Sequence, residues 1–485
     1  MVRRRVVLLP AAILAAGLPL AGAAIGSAPA CGSHLKPPAL SFGDRVYIDK
    51  NRAGGEPVSI VAKDGSISVS AHAGTTHIYK DPTALAGASD FLVGYSNETL
   101  NWRSTDGGKT WSYVGLPIVN AGPHSATSTG FSDPDYAIDS SGRIYNTEIN
   151  LANVAVFSSG DDGQTYSRGN PEVTSGDRPW LTGGGENEVY LYVNTGQQIF
   201  RSGDGGLTWT LQSMNNAAGP DAKMYIDPLN KKAGLLGPHN DNGVSISADQ
   251  GKTWKAYDGA GLGSNVDFFG AITVDKAGNV YRAAAGGYKG SSDRKPDGQV
   301  TFNYFDRKTK KWGDDSLTIP TGEGDMLWPW VIAGDDGRVA VTWLQSKPGK
   351  PTEFYVYVAQ TLNAHGTTVT CANGTKKFIK PLWSVANASK KPVHKGPICL
   401  NGTACNASPS FPEGDRRLGD FLTVNYDKDG RLFIVGGDTT IPNALGGPKP
   451  VGNPIFIAAK SGGKMTKRPT PTSKTRPSCT VNPAC

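Results

Sequence analysis

The residues Ser-Thr-Asp-Gly-Gly-Lys-Thr-Trp at positions 104–111 form a motif that recurs three more times in the first half of the chain. The shared pattern is Ser-x-Asp-x-Gly-x-Thr followed by Trp or Tyr, and its other copies lie at residues 159–166, 202–209 and 247–254. In a tight turn the Ser and Asp side chains hydrogen-bond to nearby backbone groups, the Gly tolerates a positive φ, and the closing aromatic residue adds apolar surface. Each copy therefore predicts an anchored hairpin turn, and the repetition predicts a repeat fold.

A longer unit of strand, Asp/Gly turn and strand recurs more often than the motif. Its seven copies begin at Pro57, Pro134, Arg178, Asp221, Gly270, Pro329 and Phe421. This spacing is typical of the inner hairpin of a four-stranded blade, whose outer two strands the motif would join. A degenerate fifth motif at residues 305–312 keeps the Asp and the Trp but lacks the Gly. The pattern predicts an all-β fold, a β-propeller of four-stranded blades, with seven blades preferred and six as the alternative.

The motif resembles the Asp-box, or BNR repeat, of the sialidase superfamily and of other secreted β-propellers. The resemblance by itself implies six blades, whereas the seven strand pairs predict seven. We expect residues 45–49 to complete the last blade beside residues 454–459, because ring closure leaves no sheet edge exposed.

The N-terminus predicts export. Three arginines at positions 3–5 precede an apolar run at residues 6–26, and Ala-Pro-Ala ends at residue 30. This is the layout of a secretory signal peptide spanning residues 1–30, so we expect a secreted, extracellular protein with no stable membrane span after cleavage. An uncleaved membrane anchor and a lipid anchor on Cys31 are the alternatives.

The remaining chain divides into a propeller at residues 31–460 and a basic, Pro/Thr-rich tail at residues 461–485. A Cys-containing insertion at residues 346–415 is expected between the sixth and seventh units. The formal net charge of +7 comes from the two ends of the chain, which does not indicate a nucleic-acid-binding face. The tail is a candidate contact with the cell wall.

Six cysteines in an exported chain predict disulfides. The expected pairs are Cys399 with Cys405, Cys479 with Cys485, and Cys31 with Cys371. The alternative, zinc binding, lacks a Cys-x-x-Cys or His partner spacing. Phosphate-binding and dinucleotide motifs are also absent from the sequence, so neither a metal nor a cofactor is expected.

The positions at which the chain begins each innermost strand surround the propeller axis, and they predict a ring of carboxylates interleaved with arginines. These positions are Glu56, Asp133, Asp135, Asp177, Arg178, Asp221, Asp267, Asp325, Arg416, Arg417 and Asp420. Arginines there could hold a carboxylate or phosphate, and the acids could act in proton transfer or bind sugar hydroxyls or a cation. The alternative is structural, because acids at strand starts often cap turns or pair with a neighbouring arginine.

The sialidase resemblance implies an exo-glycosidase with three arginines on the substrate carboxylate, a Tyr nucleophile activated by Glu, and an Asp as acid/base. The family's Arg-Ile-Pro segment is missing here, and the nearest analogue is Arg178-Pro179. Under this hypothesis Arg178 and Arg417 form the clamp, and Asp133 or Asp177 donates the proton. Tyr288 is then the candidate nucleophile.

The other residues of the ring, together with Trp328, are the candidate substrate-binding groups. They are Glu56, Asp135, Asp221, Asp267, Asp325, Trp328, Arg416 and Asp420. An aromatic ring at this face could stack on a sugar or could simply fill the space between blades. The expected partner is an extracellular glycan. A non-catalytic propeller that binds glycan, cell wall or protein is the competing hypothesis, and a polysaccharide lyase or another glycosidase is the third.

Overall fold

The computed structural model describes residues 31–52, 54–72, 99–115, 130–150, 153–262, 271–288, 297–314, 316–400, 417–442 and 452–467. Within these residues the regular structure consists of β-strands and three short 3₁₀ turns, at Ser33–Leu35, Thr195–Gln197 and Asn240–Asn242. The described residues contain no helix that is long and apolar enough to cross a membrane. The predicted signal peptide, residues 1–30, lies outside the described residues.

The strands form seven antiparallel blades arranged as a β-propeller, which confirms the predicted fold and the preferred blade number. Two short strands come first, β1 (Ser41–Phe42) and β2 (Val46–Tyr47). Blade 1 holds β3 (Gly55–Val61), β4 (Ile67–His72), β5 (Thr99–Ser104) and β6 (Ser112–Gly115). Blade 2 holds β7 (Gly130–Ile138), β8 (Ile144–Asn150), β9 (Asn153–Ser159) and β10 (Arg168–Ser175). Blade 3 holds β11 (Trp180–Gly183), β12 (Val189–Val193), β13 (Gln198–Ser202) and β14 (Thr210–Ser213).

The second half of the ring repeats the same up-and-down order. Blade 4 holds β15 (Tyr225–Ile226), β16 (Leu235–His239), β17 (Gly243–Ser247) and β18 (Lys255–Asp258). Blade 5 holds β19 (Ala271–Val274), β20 (Val280–Gly286), β21 (Gln299–Asp306), β22 (Lys311–Trp312) and β23 (Leu317–Thr318). Blade 6 holds β24 (Met326–Ala333), β25 (Val339–Lys347), β26 (Lys350–Thr361), β29 (Ser384–Asn387) and β30 (His394–Lys395), with the hairpin β27 (Thr367–Thr370) and β28 (Lys376–Ile379) inserted. Blade 7 holds β31 (Thr423–Tyr426), β32 (Leu432–Asp438) and β33 (Asn453–Ser461).

The two ends of the chain close the ring in blade 7. The N-terminal strand β2 adds to β33 as an outer strand, with Val46 opposite Phe456 and Tyr47 opposite Ile455. β1 adds to the same strand through Phe42 and Ala459. The expectation that residues 45–49 complete the last blade is therefore confirmed, and β33 does not remain an open edge.

The Ser-x-Asp motifs form the turns between the third and fourth strands of their blades. In the first copy Asp106 Oδ1 accepts the Thr110 backbone N–H at 3.0 Å, and Ser104 Oγ accepts the Gly108 N–H at 2.9 Å. Burial opposes the charged form, but hydrogen bonds from Thr110 and Ser104 lower the pKa of Asp106 to about 2. Trp111 Nε1 donates to the Gly108 carbonyl at 3.1 Å. The same Ser, Asp and Gly hydrogen bonds recur in the copies at 159–166, 202–209 and 247–254.

Each motif also joins neighbouring blades. The Trp111 ring meets Phe456 of blade 7 edge-on, with ring centroids 5.4 Å apart. Gly108 has φ 86°, and a Cβ there would lie 2.1 Å from the Phe456 ring, so both its conformation and its neighbour require glycine. In the degenerate fifth copy Trp312 Nε1 donates to the Tyr257 carbonyl of blade 4 at 2.9 Å. In these two copies the aromatic residue therefore anchors its blade to the preceding one.

The segment at residues 346–415, expected as an insertion, is mostly part of blade 6. β26 pairs with β25, and β29 pairs with β26, so the segment supplies the third and fourth strands of that blade. The repeated unit recognised in the sequence covers only the first two strands of blade 6. The third and fourth strands were not recognised because no Ser-x-Asp turn joins them. Within the described part of this segment, the β27–β28 hairpin is the element inserted between the outer strands.

The tail also begins later than expected. Residues 462–467 lie along blades 6 and 7, where Met465 N–H donates to the Gly430 carbonyl at 2.8 Å and Asp335 N–H donates to the Met465 carbonyl at 2.9 Å. The Met465 side chain is fully buried. Residues 468–485 of the predicted tail lie outside the described residues.

Cys31 and Cys371 form a disulfide that connects the N-terminus to the β27–β28 hairpin, as the sequence predicts. Cys399 is also disulfide-bonded, and its predicted partner Cys405 lies outside the described residues. The predicted Cys479–Cys485 pair lies outside them as well.

Candidate functional site at the top face

We call the end of the propeller at which the innermost strands begin the top face, and the end with the Ser-x-Asp turns the bottom face. At the top face the innermost strands of blades 1, 2 and 6 carry a register irregularity near Glu56, Asp133 and Trp328. These three residues and Arg178 have φ between 51° and 56°. Such a backbone is uncommon for residues other than glycine and costs on the order of 1 kcal/mol or more at each position. Three of these four positions belong to the predicted ring, and the fourth, Trp328, is a predicted substrate-binding residue.

Glu56, His72 and Asp133 form a buried cluster between blades 1 and 2. Glu56 Oε2 lies 3.2 Å from His72 Nε2, and both side chains are almost completely buried. Glu56 Oε1 accepts the backbone N–H of Asp420 from blade 7 at 3.0 Å. A side-chain hydrogen bond joins Glu56 to Asp133. Two carboxyl groups in contact cannot both ionise easily, so the charge of each favours the protonated form of the other.

The buried contact with Glu56 changes the chemistry of Asp133. Burial first, and then the charges of Glu56 and Asp177, raise the pKa of Asp133 well above its ordinary value, although His72 lowers it. A carboxylic acid that stays protonated toward neutral pH can donate a proton to a bound ligand. This is the role the sequence proposed for Asp133.

Blade 3 brings Asp177 and Arg178 to the same cluster. The Arg178 backbone N–H donates to Asp133 Oδ2 at 3.1 Å. Arg178 Nε lies 3.7 Å from Asp177 Oδ2, with the Arg178 side chain 33% exposed and the Asp177 side chain 60% exposed. The structure therefore gathers Asp133, Asp177 and Arg178 at one place, with a guanidinium group that reaches solvent.

Asp135 and Lys223 tie the next blades together beneath this cluster. Asp135 Oδ2 accepts the Leu181 backbone N–H at 2.8 Å and lies 2.5 Å from Lys223 Nζ. Asp135 is almost completely buried. Its carboxylate therefore links blade 2 to blades 3 and 4, which is the structural alternative for the acids of the ring.

Aromatic side chains close the axis of the propeller. The rings of Trp180, Trp330 and Phe421 contact one another with centroids 5.4–5.8 Å apart. Lys223 Nζ lies 5.8 Å from the centroid of the Trp180 ring. The cavity beside Trp180 and Trp330 has a volume of about 10 Å³, which is barely enough for one water molecule. A ligand at the top face therefore meets a closed floor rather than a channel.

Asp221 and Tyr192 extend the cluster across blades 3 and 4. Burial raises the pKa of Asp221 to about 6, although the charges of Arg282 and His239 lower it. Burial and then the charge of Asp221 raise the pKa of Tyr192, whereas Arg178 lowers it. Tyr192 pairs with Trp180, two residues after Arg178, and packs in the same buried cluster as Ala222, which follows Asp221.

His239 is a titratable group in this region. Its Nδ1 lies 2.8 Å from Asp258 Oδ1 and its Nε2 lies 3.0 Å from the Ala217 carbonyl. Both neighbours are acceptors, so both ring nitrogens serve best as N–H donors. Burial opposes the charged ring, but these two hydrogen bonds outweigh it and raise the pKa of His239.

The other predicted residues have different surroundings. The Tyr288 hydroxyl donates to the Ile398 carbonyl and accepts the Ile398 N–H, both at 2.8 Å, and the side chain is buried. This geometry ties Tyr288 to the chain that leads out of blade 6, which favours a structural role over that of a nucleophile. Asp325 is buried against Ser346, whose hydroxyl donates to Asp325 Oδ2 at 3.2 Å. Trp328 is buried between blades 6 and 7.

Blade 7 supplies the remaining members of the ring. Arg417 is partly buried and Asp420 is buried, and the Asp420 backbone N–H reaches Glu56 as described above. Asp267 and Arg416 lie outside the described residues.

Two polar residues at the top face, His72 and Tyr192, were not among the predicted residues. Both stand at or near the end of a second strand, β4 and β12. Because adjacent strands are antiparallel, the end of the second strand reaches the same face as the start of the first. A polar residue at the end of an apolar second strand therefore indicates a side chain at the top face. This signal is visible in the sequences of both β4 and β12.

One group near the bottom face has the composition of a metal site. Asp275, Asp336 and His365 place ligand atoms within 4.8 Å of one another. The Tyr281 hydroxyl donates to Asp275 Oδ2 at 2.6 Å and also hydrogen-bonds to His365 Nε2. The Tyr281 hydroxyl thus hydrogen-bonds to two of the three candidate ligands.

Comparison with known proteins finds a curated protein that is similar to part of this chain, and solved structures that share little sequence identity with it. No family model matches the chain. A curated protein named sialidase, from Micromonospora viridifaciens, is 30% identical over 187 residues, which are 34% of this chain and 25% of the relative. The chain therefore spans about a quarter of the length of that relative.

Three solved structures illustrate the likeness of fold. The GH74 enzyme of Niastella koreensis has a TM-score of 0.43 and 15% identity, covering 85% of this chain and 62% of its own. The Hadza microbial sialidase Hz136 has a TM-score of 0.37 and 15% identity, covering 62% and 65%. YCF48 from Cyanidioschyzon merolae has a TM-score of 0.42 and 11% identity, covering 87% and 98%.

Proposed function

We propose that this protein is an extracellular, sialidase-like glycan hydrolase whose site is the top-face cluster of Glu56, Asp133, Asp177 and Arg178. The observation that carries the proposal is the meeting of the buried Glu56–Asp133 carboxyl pair with the partly exposed Arg178 guanidinium group at the top face of the propeller. The partial relative named sialidase supports the choice of glycans as the substrate class.

The cluster supplies the parts that glycoside hydrolysis needs. Asp133, held protonated by burial and by Glu56, donates its proton to the glycosidic oxygen as the bond from that oxygen to the anomeric carbon breaks. Water then adds its hydroxyl to the anomeric carbon, and its other proton returns to the Glu56–Asp133 pair. Arg178 holds an anionic group of the substrate through charge-assisted hydrogen bonds.

The test is product release from sialylated, uronic-acid-containing and neutral glycans by the mature chain and by variants. Asp133→Asn keeps the size of the side chain but removes the acidic proton, so turnover should fall by about 100-fold or more. Arg178→Ala should weaken use of the anionic substrates by about 10- to 100-fold.

Arg201→Ala is the matched control for Arg178. Arg201 lies in the same blade and hydrogen-bonds to Glu188 at 2.7 Å, next to the turn between β11 and β12 at the bottom face. Its loss should leave turnover unchanged. Full turnover by both Asp133→Asn and Arg178→Ala would show that this cluster is not the site of hydrolysis.

A non-catalytic glycan-binding propeller is the second candidate. Glu56, Asp133 and Asp135 each accept a hydrogen bond from a backbone N–H group of a neighbouring blade. This candidate is favoured because these hydrogen bonds hold the blades together, which is a structural role for the carboxylates. Saturable glycan binding that is lost in Arg178→Ala, with no product from the wild type on any glycan of the panel, would establish this candidate instead.

The extracellular location rests on the N-terminal sequence and on the disulfide. The Cys31 sulfur is bonded to Cys371, and a sulfur in a disulfide cannot also carry a lipid thioether. Disulfides persist in oxidising compartments. This supports release from the membrane after cleavage over a lipid anchor on Cys31. N-terminal sequencing of the exported chain tests it, with Cys31 expected as the first residue.

A further inference from the structure

Two polar atoms at the boundary of blades 3 and 4 have unused hydrogen-bonding capacity. The Tyr192 hydroxyl and Asp221 Oδ1 are buried atoms without a hydrogen-bond partner among the described residues. The whole Tyr192 residue is 0% exposed, whereas Asp221 is partly exposed. Buried polar groups are nearly always paired, so an unpaired couple in one cluster calls for an explanation.

The capacities of the two atoms are complementary. The phenol O–H of Tyr192 needs an acceptor, and the Asp221 carboxylate oxygen needs a donor. An alcohol hydroxyl provides both, because its oxygen accepts one bond while its hydrogen donates the other. A carboxylate or phosphate ligand would satisfy Tyr192 but would be repelled by Asp221.

Arg178 is a partly exposed group near this place. The Arg178 side chain is 33% exposed and lies close enough to Tyr192 to lower the pKa of its phenol. A sugar whose anionic group meets the Arg178 guanidinium would thus have its ring hydroxyls beside Tyr192 and Asp221. Because the Tyr192 hydroxyl is buried in the free protein, the side chains around it must move when the sugar binds.

We propose that Tyr192 and Asp221 form a hydroxyl-binding subsite, in which one hydroxyl of a bound sugar accepts from Tyr192 and donates to Asp221 Oδ1. The subsite rests on the proposed function, because the sugar is brought there by the top-face cluster. Its role is to select and orient the sugar ring, and it adds no step to the hydrolysis.

Several charged groups face Asp221 and set the conditions for the test. Arg282 and His239 stabilise its charged form, whereas Asp241 and burial oppose it. A sugar hydroxyl that donates to Asp221 would further favour the charged form. The pKa of Asp221, which is about 6 in the free protein, should therefore fall when the sugar binds.

The first experiment compares Tyr192→Phe with Tyr190→Phe in calorimetric binding of monosaccharides: a neutral hexose, an N-acetylated amino sugar and a uronic acid. Tyr190 is the matched control, since it is equally buried in the same strand but its hydroxyl donates to Glu188 at 2.9 Å. Tyr192→Phe should weaken sugar affinity by roughly 3- to 10-fold and leave thermal stability unchanged. Tyr190→Phe should lower stability and leave affinity unchanged.

An ordered water molecule is the competing explanation for the two atoms. In that case Tyr192→Phe would lower stability and keep the affinity of the wild type, which would overturn the subsite. Equal losses of affinity in Tyr192→Phe and Tyr190→Phe would also overturn it, because a general disturbance of blade 3 would then be the cause.

The second experiment follows the Asp221 carboxyl carbon by NMR as a function of pH, with and without each monosaccharide. A sugar-dependent fall in its pKa that disappears in Tyr192→Phe supports the subsite, even if no glycan in the panel is hydrolysed. No change with any sugar overturns the subsite, even if the wild type turns glycans over. The subsite and the proposed hydrolysis can therefore fail independently.

Discussion

Glu56 and Asp133 join the first two blades through a hydrogen bond between their carboxyl groups. Each also accepts a backbone N–H from another blade: Glu56 from Asp420 of blade 7, and Asp133 from Arg178 of blade 3. The pair therefore connects four consecutive blades, beginning with the one that the chain termini complete. A change in the protonation of the Glu56–Asp133 pair therefore alters both the chemistry of the top face and the contacts between blades.

Stability should fall as the pH rises through the raised pKa of Asp133. The folded protein binds the Asp133 proton more tightly than the unfolded chain, so the stabilisation is complete below the ordinary carboxyl pKa of about 4 and is lost above the raised one. Asp133→Asn cannot lose a proton and should flatten this part of the profile. Urea unfolding at pH values from 4 to 9 measures the effect.

Glu172→Gln is the control for Asp133→Asn, since Glu172 is exposed on β10 and far along the chain from the pair. It should follow the wild-type profile. Parallel profiles for the wild type and Asp133→Asn would show that the pKa of Asp133 is not raised.

The aromatic cluster of Trp180, Trp330 and Phe421 should contribute a large part of the stability of the propeller. Trp180→Ala removes a side chain that is 2% exposed and contacts both Trp330 and Phe421. The expected loss is about 3–5 kcal/mol in the free energy of unfolding. Phe378→Ala, at a side chain that is 57% exposed on the inserted hairpin, should change it by less than about 0.5 kcal/mol. Similar losses for the two variants in urea unfolding would contradict the closed floor.

The Ser-x-Asp turns should contribute stability that disappears in acid. Burial opposes ionisation of Asp204, but hydrogen bonds from Thr208 and Ser202 lower its pKa to about 2. Its contribution is therefore complete above the ordinary pKa of about 4 and is lost as the pH falls to about 2. Asp204→Asn should cost about 1 kcal/mol at pH 7 after allowance for solvent screening. The cost should vanish near pH 2 in thermal unfolding curves, and an equal cost at both pH values would exclude the charge as its source.

The fold could be predicted from the sequence because its information is local and repeated. Each Ser-x-Asp turn is specified by eight consecutive residues such as 104–111, and each inner hairpin contains its own Asp/Gly turn. Blade 6 was harder, because its third and fourth strands are separated by the β27–β28 hairpin and carry no Ser-x-Asp turn. Its outer strands were therefore mistaken for an insertion.

The candidate site was harder to predict because it depends on contacts between blades. The starts of the innermost strands pointed correctly to the top face, but they could not show that Glu56 and Asp133 are in contact or that Tyr288 is bonded to Ile398. His72 and Tyr192 come from second strands, and they join the cluster only when neighbouring blades are assembled. Periodicity assigns a residue to a face, whereas its partners are set by the packing of whole blades.

The Cys31–Cys371 disulfide should stabilise the closure of the ring. It links residues 340 positions apart and holds the segment that leads into β1 and β2, the strands that complete blade 7. Replacing both cysteines in Cys31→Ser/Cys371→Ser should lower the free energy of unfolding by about 2–4 kcal/mol without leaving an unpaired thiol. Amide hydrogen exchange should rise first in β33, because its outer strands are then held by few hydrogen bonds. As a control, exchange in β12 of blade 3 should stay unchanged; an equal rise in β33 and β12 would mean that the disulfide stabilises the propeller as a whole and not its closure.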